Sequence, residues 1–469
     1  MKTYRHIVFF ALFCAVLLYG GWIYLGHFQQ LWQENRLERT NPIIPANVST
    51  AYENALTQVL SEEGHFTLTG LSKLKRGLLN TSFSHRVEIG KKDWLFLQQE
   101  VPGRQTIQQS LGVFQYSPYQ LKTWQLLFQQ RRAWTEVNGM QYMLVLTPNK
   151  ATIYPEMLPS RYHFVGPGTR AQLKAALSDV YVVDLTDSIR QHKDKGTLFL
   201  KNDTHWNELA AFFGYQSLMR AMPEGYQAEP LKLTDCSVQT DTAKGGDLAR
   251  LLLENDERWE IAPFLEPLHP QSEFIETRSA SIAPGLTPKV YVNPQATLPK
   301  VLFDHDSFFK DLRPFFSQHY TESVFLWGWQ GFNVGLIQRE KPKLVVDEFV
   351  ERSLIGDKPR NEWGIIQNYW AQHFEALPLL AQYDDLTFEE IIGMMNHLRI
   401  PEGRLPILQM TSTITQTDKL IIEYDDDRGY YLLRDTGDTY YLEYEPDRIK
   451  DLHVEQGSGH QVRLEVRLY

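Results

Sequence analysis

Between Gln141 and Phe349 the chain sets short apolar runs against helical patterns in alternation, and this constrains its fold more than any other feature. Gln141–Leu146, Val180–Val183, Lys300–Phe303, Ser323–Trp327 and Leu344–Phe349 have the length and the aliphatic and aromatic content of strands. Helical patterns cover Ser117–Val137, with Pro118 in its first turn, then Thr169–Ala176 and Leu185–His192. The clearest is Trp206–Met222, where Leu209, Phe212, Phe213, Leu218 and Met219 fall near helical spacing. Helices are also expected over Asp311–Tyr320 and Gln330–Glu340. Strand and helix in turn predict an α/β domain around a mainly parallel sheet. Cys236–Arg250 and Ser272–Gly285 have little pattern and read as loops.

The flanks differ from this centre. Ile7–Leu25 carries no charge, follows Lys2 and Arg5, and is long enough to cross a hydrocarbon core. No small-residue cleavage site follows it, so it reads as a retained anchor rather than a cleaved signal. The basic residues before it predict a cytoplasmic N-terminus and an exported remainder. Beyond Arg352, Asn361–Leu380 and Thr387–Leu398 read as helices, and from Leu405 short alternating runs are separated by turn signals such as Asp435-Thr436-Gly437-Asp438. The expected organisation is a transmembrane anchor over 1–26, a stalk and lead-in over 27–75, a catalytic domain over 76–355, a helical extension over 356–404 and a small all-β module over 405–469. The net charge of −10 argues against nucleic acid as a partner. The two cysteines, Cys14 and Cys236, make no disulfide framework.

Lys201-Asn202-Asp203-Thr204-His205-Trp206-Asn207 opens the strongest helix. A carboxylate two residues from an imidazole can accept its N–H, fix its tautomer and stabilise the imidazolium. The alternative is a capping role for Asp203 or Thr204. A nucleophile is supplied by Ser307, where the strand Lys300–Phe303 ends, and open α/β sheets place their chemistry at the carboxyl ends of strands. The alternative there is a hydroxyl capping the next segment. His305 competes with His205 as the base, and Asp304, His305 and Asp306 could suggest metal, although no second cluster of matching spacing accompanies them. No metal or cofactor is expected. Asn207 is a helix cap or a second oxyanion donor. Trp206, Trp327 and Trp329 are candidates for contact with a sugar ring, against ordinary core packing. The same choice applies to Tyr424, Tyr430, Tyr431, Tyr440, Tyr441 and Tyr444 in the C-terminal module.

Asp203-Thr204-His205-Trp206 before a helix, and Asp306-Ser307-Phe308 after a strand, resemble the periplasmic alginate O-acetyltransferases of the AlgJ/AlgX type. Gly90-Lys91-Lys92-Asp93-Trp94-Leu95-Phe96, Pro148-Asn149-Lys150 leading to Ile153-Tyr154-Pro155-Glu156, and Lys341-Pro342 through Val350-Glu351-Arg352 fit the same family in the same order. The resemblance implies an SGNH-hydrolase-like domain, circularly permuted because serine comes last, with Asp203, His205 and Ser307 as its triad. It implies acetyl transfer through an acetyl-serine onto an exopolysaccharide such as alginate, in the periplasm, from an inner-membrane anchor. It also implies a membrane-bound O-acyltransferase partner as acetyl supplier and a carbohydrate-binding C-terminal module. A polysaccharide acetyl esterase and a non-catalytic polysaccharide-binding scaffold are the other readings of the same residues.

Overall fold

The computed structural model describes residues 84–100, 105–254, 258–275, 288–327, 332–354, 363–412, 418–424, 428–433, 439–445, 449–454 and 462–469. The apolar run at Ile7–Leu25, the stalk and Trp329 lie outside the described residues. Among the described residues no helix is long and apolar enough to cross a membrane.

A seven-stranded sheet forms the centre, in the order Val182–Asp184, Gln141–Thr147, Leu344–Val350, Val301–His305, Glu322–Trp327, Lys289–Val292, Glu273–Phe274. The first five run parallel, and Lys289–Val292 pairs antiparallel with both of its neighbours, Glu322–Trp327 and Glu273–Phe274. The parallel strands are apolar on both faces because helices cover both. Side-chain alternation divides each strand between two cores. Met143, Val145, Phe303 and Val346 pack with Phe212, Tyr215 and Met219 of the helix Glu208–Arg220. Leu144, Leu146, Leu302 and Val345 pack with Trp124, Leu127 and Phe128 of the helix Pro118–Val137. That second helix begins in a capping box. The Ser117 side chain accepts the Gln120 amide and the Gln120 side chain accepts the Ser117 amide.

The sequence expectations hold at most elements and fail at four, the smallest being Glu273–Phe274, a strand inside the expected loop Ser272–Gly285. Asp311–Tyr320 is not one helix but two single turns, Phe309–Leu312 and Arg313–Phe316. Pro314 lacks an amide donor, and Phe309, Phe315 and Phe316 are all buried, which a one-faced helix would not permit. Cys236–Lys244 is not a loop but a strand paired antiparallel with Trp259–Pro267. It is mostly exposed and polar, so it shows no core-facing alternation, and its register comes from the next strand in the chain, beyond the helix Asp247–Leu251.

The fourth correction concerns the C-terminal part. Both helices expected in the extension form, as Trp363–His373 and Phe388–His397, but the first ends before Leu380 and the strand Leu379–Leu386 lies between them, paired with Val462–Leu468 at the end of the chain. The module therefore begins well before Leu405. It is not all-β, because the helix Phe388–His397 supplies Ile391 and Met395 to its core. Its two sheets are ordered Leu379–Leu386, Val462–Leu468, Pro406–Ser412, Thr439–Glu443 and Arg428–Leu433, Asp418–Tyr424, Ile449–Val454. Tyr440, Tyr441 and Tyr444 are buried, which makes them core residues rather than a sugar-facing surface. A second core of Leu126, Trp370, Phe374, Leu405, Ile407 and Tyr441 joins the module to the helix Pro118–Val137. Across that seam the buried Glu443 carboxylate accepts from Gln130 Nε2 at 2.5 Å and Trp370 Nε1 at 3.0 Å.

Candidate active site

Parallel strands deliver their chemistry at their carboxyl ends. Asn149 and Lys150 follow Gln141–Thr147, Asp306 and Ser307 follow Val301–His305, and Arg352 follows Leu344–Val350. Asp203 and His205 arrive differently. A single bridge pairs Phe199 with Trp206, and the chain between them turns back sharply, with the Leu200 amide donating to the His205 carbonyl. Asn207 caps the helix that follows, its side chain accepting the Ala210 amide.

The turn and the strand end bring Asp203, His205 and Ser307 together. His205 Nδ1 lies 2.6 Å from Asp203 Oδ1, and His205 Nε2 lies 2.7 Å from Ser307 Oγ. A carboxylate only accepts, so Nδ1 carries the proton and Nε2 accepts from the serine hydroxyl. Burial pushes the Asp203 carboxyl up. The hydrogen bond and charge of His205, with the amides of Asp247 and His205, outweigh it and hold the group well below the usual carboxylate range. Asp203 therefore stays anionic, as an orienting group must.

His305 is not part of this arrangement. Its Nδ1 lies 2.6 Å from the Asp306 carbonyl, and burial lowers its pKa to about 3. It sits neutral among Phe309, Phe325 and Trp327. Asp306 instead shapes the turn that presents the serine. Its Oδ1 accepts the Phe308 amide at 2.8 Å and its Oδ2 accepts the Val350 amide at 2.9 Å. Behind it, Glu348 accepts the Asp306 amide at 3.0 Å and the Thr147 hydroxyl at 2.6 Å. Burial first and the Asp306 charge second raise Glu348 well above an ordinary glutamate, so it is neutral beside the Asp306 carboxylate.

The aromatic candidates separate. Trp206 is 1% exposed and its Nε1 donates to the Phe308 carbonyl at 3.0 Å, so it packs under the turn that follows Ser307 and offers no face to a ligand. Asn207 donates its side-chain amide to the Thr197 carbonyl at 2.5 Å and accepts the Ala210 amide, so its polar atoms serve the start of the helix. Trp327 is 38% exposed at the carboxyl end of its strand, in register with His305.

Two supports of the site went unread in the sequence. Asp247 lies just after the strand Cys236–Lys244. Its carboxylate accepts the Thr204 amide at 2.7 Å and the Thr204 hydroxyl, and its own amide donates to Asp203 Oδ2 at 2.9 Å. Lys150, in the stretch Pro148-Asn149-Lys150, donates to three carbonyls of the Asp203 turn. Asp203, His205 and Asp247 also group three potential metal ligands within 4.8 Å. Their side-chain atoms are already committed to one another, to Thr204 and to the Asp247 amide, so the group reads as an orienting network.

Residues 87–283 match the family described as SGNH hydrolase-like domain, acetyltransferase AlgX, a stretch that contains Asp203 and His205 and ends before Ser307. The probable alginate O-acetylase AlgJ of Pseudomonas aeruginosa is 29% identical over 211 residues, 43% of this chain and 48% of that protein. Its namesake in Pseudomonas syringae pv. tomato is 24% identical over 42% of this chain and 48% of its own length. The chain thus spans about half the length of the curated relatives it matches. Among solved structures, the O-acetyltransferase domain of Pseudomonas putida AlgJ aligns with TM-score 0.38 and 18% identity over 62% of this chain and 98% of that one. Pseudomonas aeruginosa AlgX aligns with TM-score 0.39 and 14% identity over 82% and 95%. By these sequence matches, residues 87–283 are similar to the SGNH hydrolase-like domain of AlgX-type acetyltransferases, and the chain resembles the AlgJ proteins over about two fifths of its length.

Proposed function

We propose that the chain is a serine O-acetyltransferase that carries an acetyl group on Ser307 and passes it to a hydroxyl of an exopolysaccharide. The observation that carries this reading is the unbroken line from Asp203 through His205 to Ser307, at 2.6 and 2.7 Å. Ser307 Oγ attacks the acetyl carbonyl while His205 Nε2 takes its proton. The leaving group recovers that proton as the tetrahedral intermediate collapses to acetyl-Ser307. A sugar hydroxyl then gives its proton to Nε2, attacks the ester carbonyl and leaves as the acetylated sugar, and Ser307 is reprotonated. Asp203 holds the tautomer and offsets the imidazolium charge throughout. Trp327, exposed beside the strand ends, is the surface best suited to stack on a sugar ring.

The same reading gives the acetyl group a membrane-bound O-acyltransferase as its source. It makes Ile7–Leu25 an inner-membrane anchor that holds the domain in the periplasm, and alginate or a similar glycan the acceptor. The test is acetyl turnover by Ser307→Ala, His205→Ala and Asp203→Asn, each checked for folding by circular dichroism. Loss of an aligned triad member costs roughly 10⁴- to 10⁶-fold in rate, and the three losses should not add. Mass spectrometry of protein given an activated acetyl ester without acceptor should find one acetyl group on Ser307. Acetylated glycan as product supports transfer, and free acetate alone in the presence of glycan would make the chain an esterase. A folded Ser307→Ala variant with near-wild-type turnover would refute the nucleophile.

A further inference from the structure

The turn that presents Asp203 and His205 belongs to no sheet of the domain, yet both side chains must be held to a fraction of an ångström for the triad to align. Its backbone points several carbonyls inward, away from water. One buried side chain meets them. Lys150 Nζ donates to the carbonyls of Leu200 at 2.8 Å, Lys201 at 3.2 Å and Asp203 at 2.5 Å. An ammonium has three hydrogens, and here each has its own acceptor. The ammonium also faces two aromatic rings, with Nζ 5.8 Å from the Trp94 ring centroid and 5.5 Å from that of Phe96. Lys150 itself starts a short helix directly after the strand Gln141–Thr147, so its anchor is the rigid sheet.

Resting on the serine-transferase reading above, we infer that Lys150 is the positioning residue of the catalytic turn, clamping it to the sheet through three charge-assisted hydrogen bonds so that His205 meets Ser307. A salt bridge would need only a nearby carboxylate. Three carbonyls of one turn fix both its position and its orientation, because each bond has a direction.

The clamp depends on the charge it carries. The charged groups facing Lys150 are Asp203 on the turn, Asp247 and Glu260 on the segment that packs behind it, and Arg352 across a small cavity. Burial outweighs the attraction of the three carboxylates and lowers the ammonium to about 8. A neutral amine has two hydrogens for three carbonyls, and each remaining bond loses its charge assistance. The turn should loosen as pH rises through that value. Stability should move the other way. Because the folded-state value lies below the ordinary lysine value of 10.5, the unfolded chain binds more protons between the two, and folding becomes more favourable as pH rises there.

The experiment is the pH dependence of kcat and Tm for wild type and Lys150→Met, with an activated acetyl ester as substrate and Ser307→Ala as the control. Lys150→Met keeps the length and loses every donor. Its kcat should fall about 10²-fold with KM little changed, as for a catalytic group displaced by about 1 Å. Wild-type kcat should decline on the alkaline side as pH passes about 8, without a matching fall in Tm, and the Lys150→Met profile should lack that decline. A lysine with only a structural role would lower Tm in the variant and leave the alkaline limb in place, and that result overturns the inference. If Lys150→Met does not fold, the wild-type curves decide alone: kcat flat from pH 7 to 10, or falling together with Tm, overturns it. If Ser307→Ala retains turnover, the parent reading has failed instead.

Discussion

Replacing Gly246 by alanine should damage catalysis by moving the catalytic turn, and the size of the displacement can be worked out. Gly246 has φ +139°, a conformation that L side chains rarely adopt. Strain of this kind costs of order 1–3 kcal/mol. A Cβ built there would stand 2.3 Å from the Asn202 carbonyl oxygen and 3.1 Å from Asp203 Cβ, where ordinary contact begins at 3.4 Å. The oxygen is short by 3.4 − 2.3, about 1.1 Å, and it belongs to backbone that cannot swing aside. The turn must retreat from Gly246, or the segment behind it must lift and withdraw the Asp247 amide from Asp203 Oδ2. Either movement misplaces the base by about 1 Å, which costs roughly 10²-fold in kcat. The assay is turnover of a small acetyl ester well below Tm, alongside thermal unfolding. Gly225→Ala is the control. Gly225 also has positive φ, +84°, but its Cβ would meet nothing within 4 Å. It should lose stability and keep its kcat. A folded Gly246→Ala protein with wild-type kcat, or an equal loss of kcat in Gly225→Ala, would refute the claim that close backbone contact at this point sets the triad.

Two further outcomes follow from packing and charge. Removing 405–469 strips Leu379–Leu386 of its partner strand and uncovers Trp370 and Phe374, at about 1.5–3 kcal/mol for each large side chain exposed; the truncated chain should aggregate or lose its cooperative melt, and a monomeric protein with an unchanged Tm would contradict the shared core. Glu348 is raised above its ordinary value of 4.5, so its contribution to stability is complete below that value and is lost as pH rises through the folded-state value; Tm measured from pH 4 to 8 should fall less steeply in Glu348→Gln than in wild type, and parallel curves would mean that Glu348 is ionised in the fold.

The parts of this protein that the sequence alone determined are those written in local pattern. The helix Thr169–Ala176 needs only its own apolar face, and the box at Ser117 and Gln120 needs only residues three apart. The parallel strands announced themselves because burial on both faces makes them apolar throughout. Asp203 and His205 were legible as a pair because two residues of spacing suffice for an imidazole to reach a carboxylate.

What the sequence withheld depends on contacts far apart in the chain. Leu379 and Leu380 read as the end of a helix until Val462–Leu468 is set beside their strand, and Cys236–Lys244 reads as a loop until Trp259–Pro267 pairs with it. Trp206 and Trp327 are the same residue type near the same site; only the packed structure buries one under Phe308 and leaves the other at the surface. The choice between His205 and His305 was also tertiary. His305 is nearer to Ser307 in sequence, but the strand end turns its Nδ1 to the Asp306 carbonyl, while a turn about a hundred residues earlier brings His205 Nε2 to the hydroxyl. The roles of Lys150 and Asp247 could not be read, because their partners lie on another segment: three backbone carbonyls for Lys150, and the Thr204 amide and hydroxyl with the Asp203 carboxylate for Asp247. A hydrogen bond to a carbonyl leaves no mark on the identity of the residue that supplies it, so the local sequence records which side chains can react, and the fold alone decides which of them are held in place.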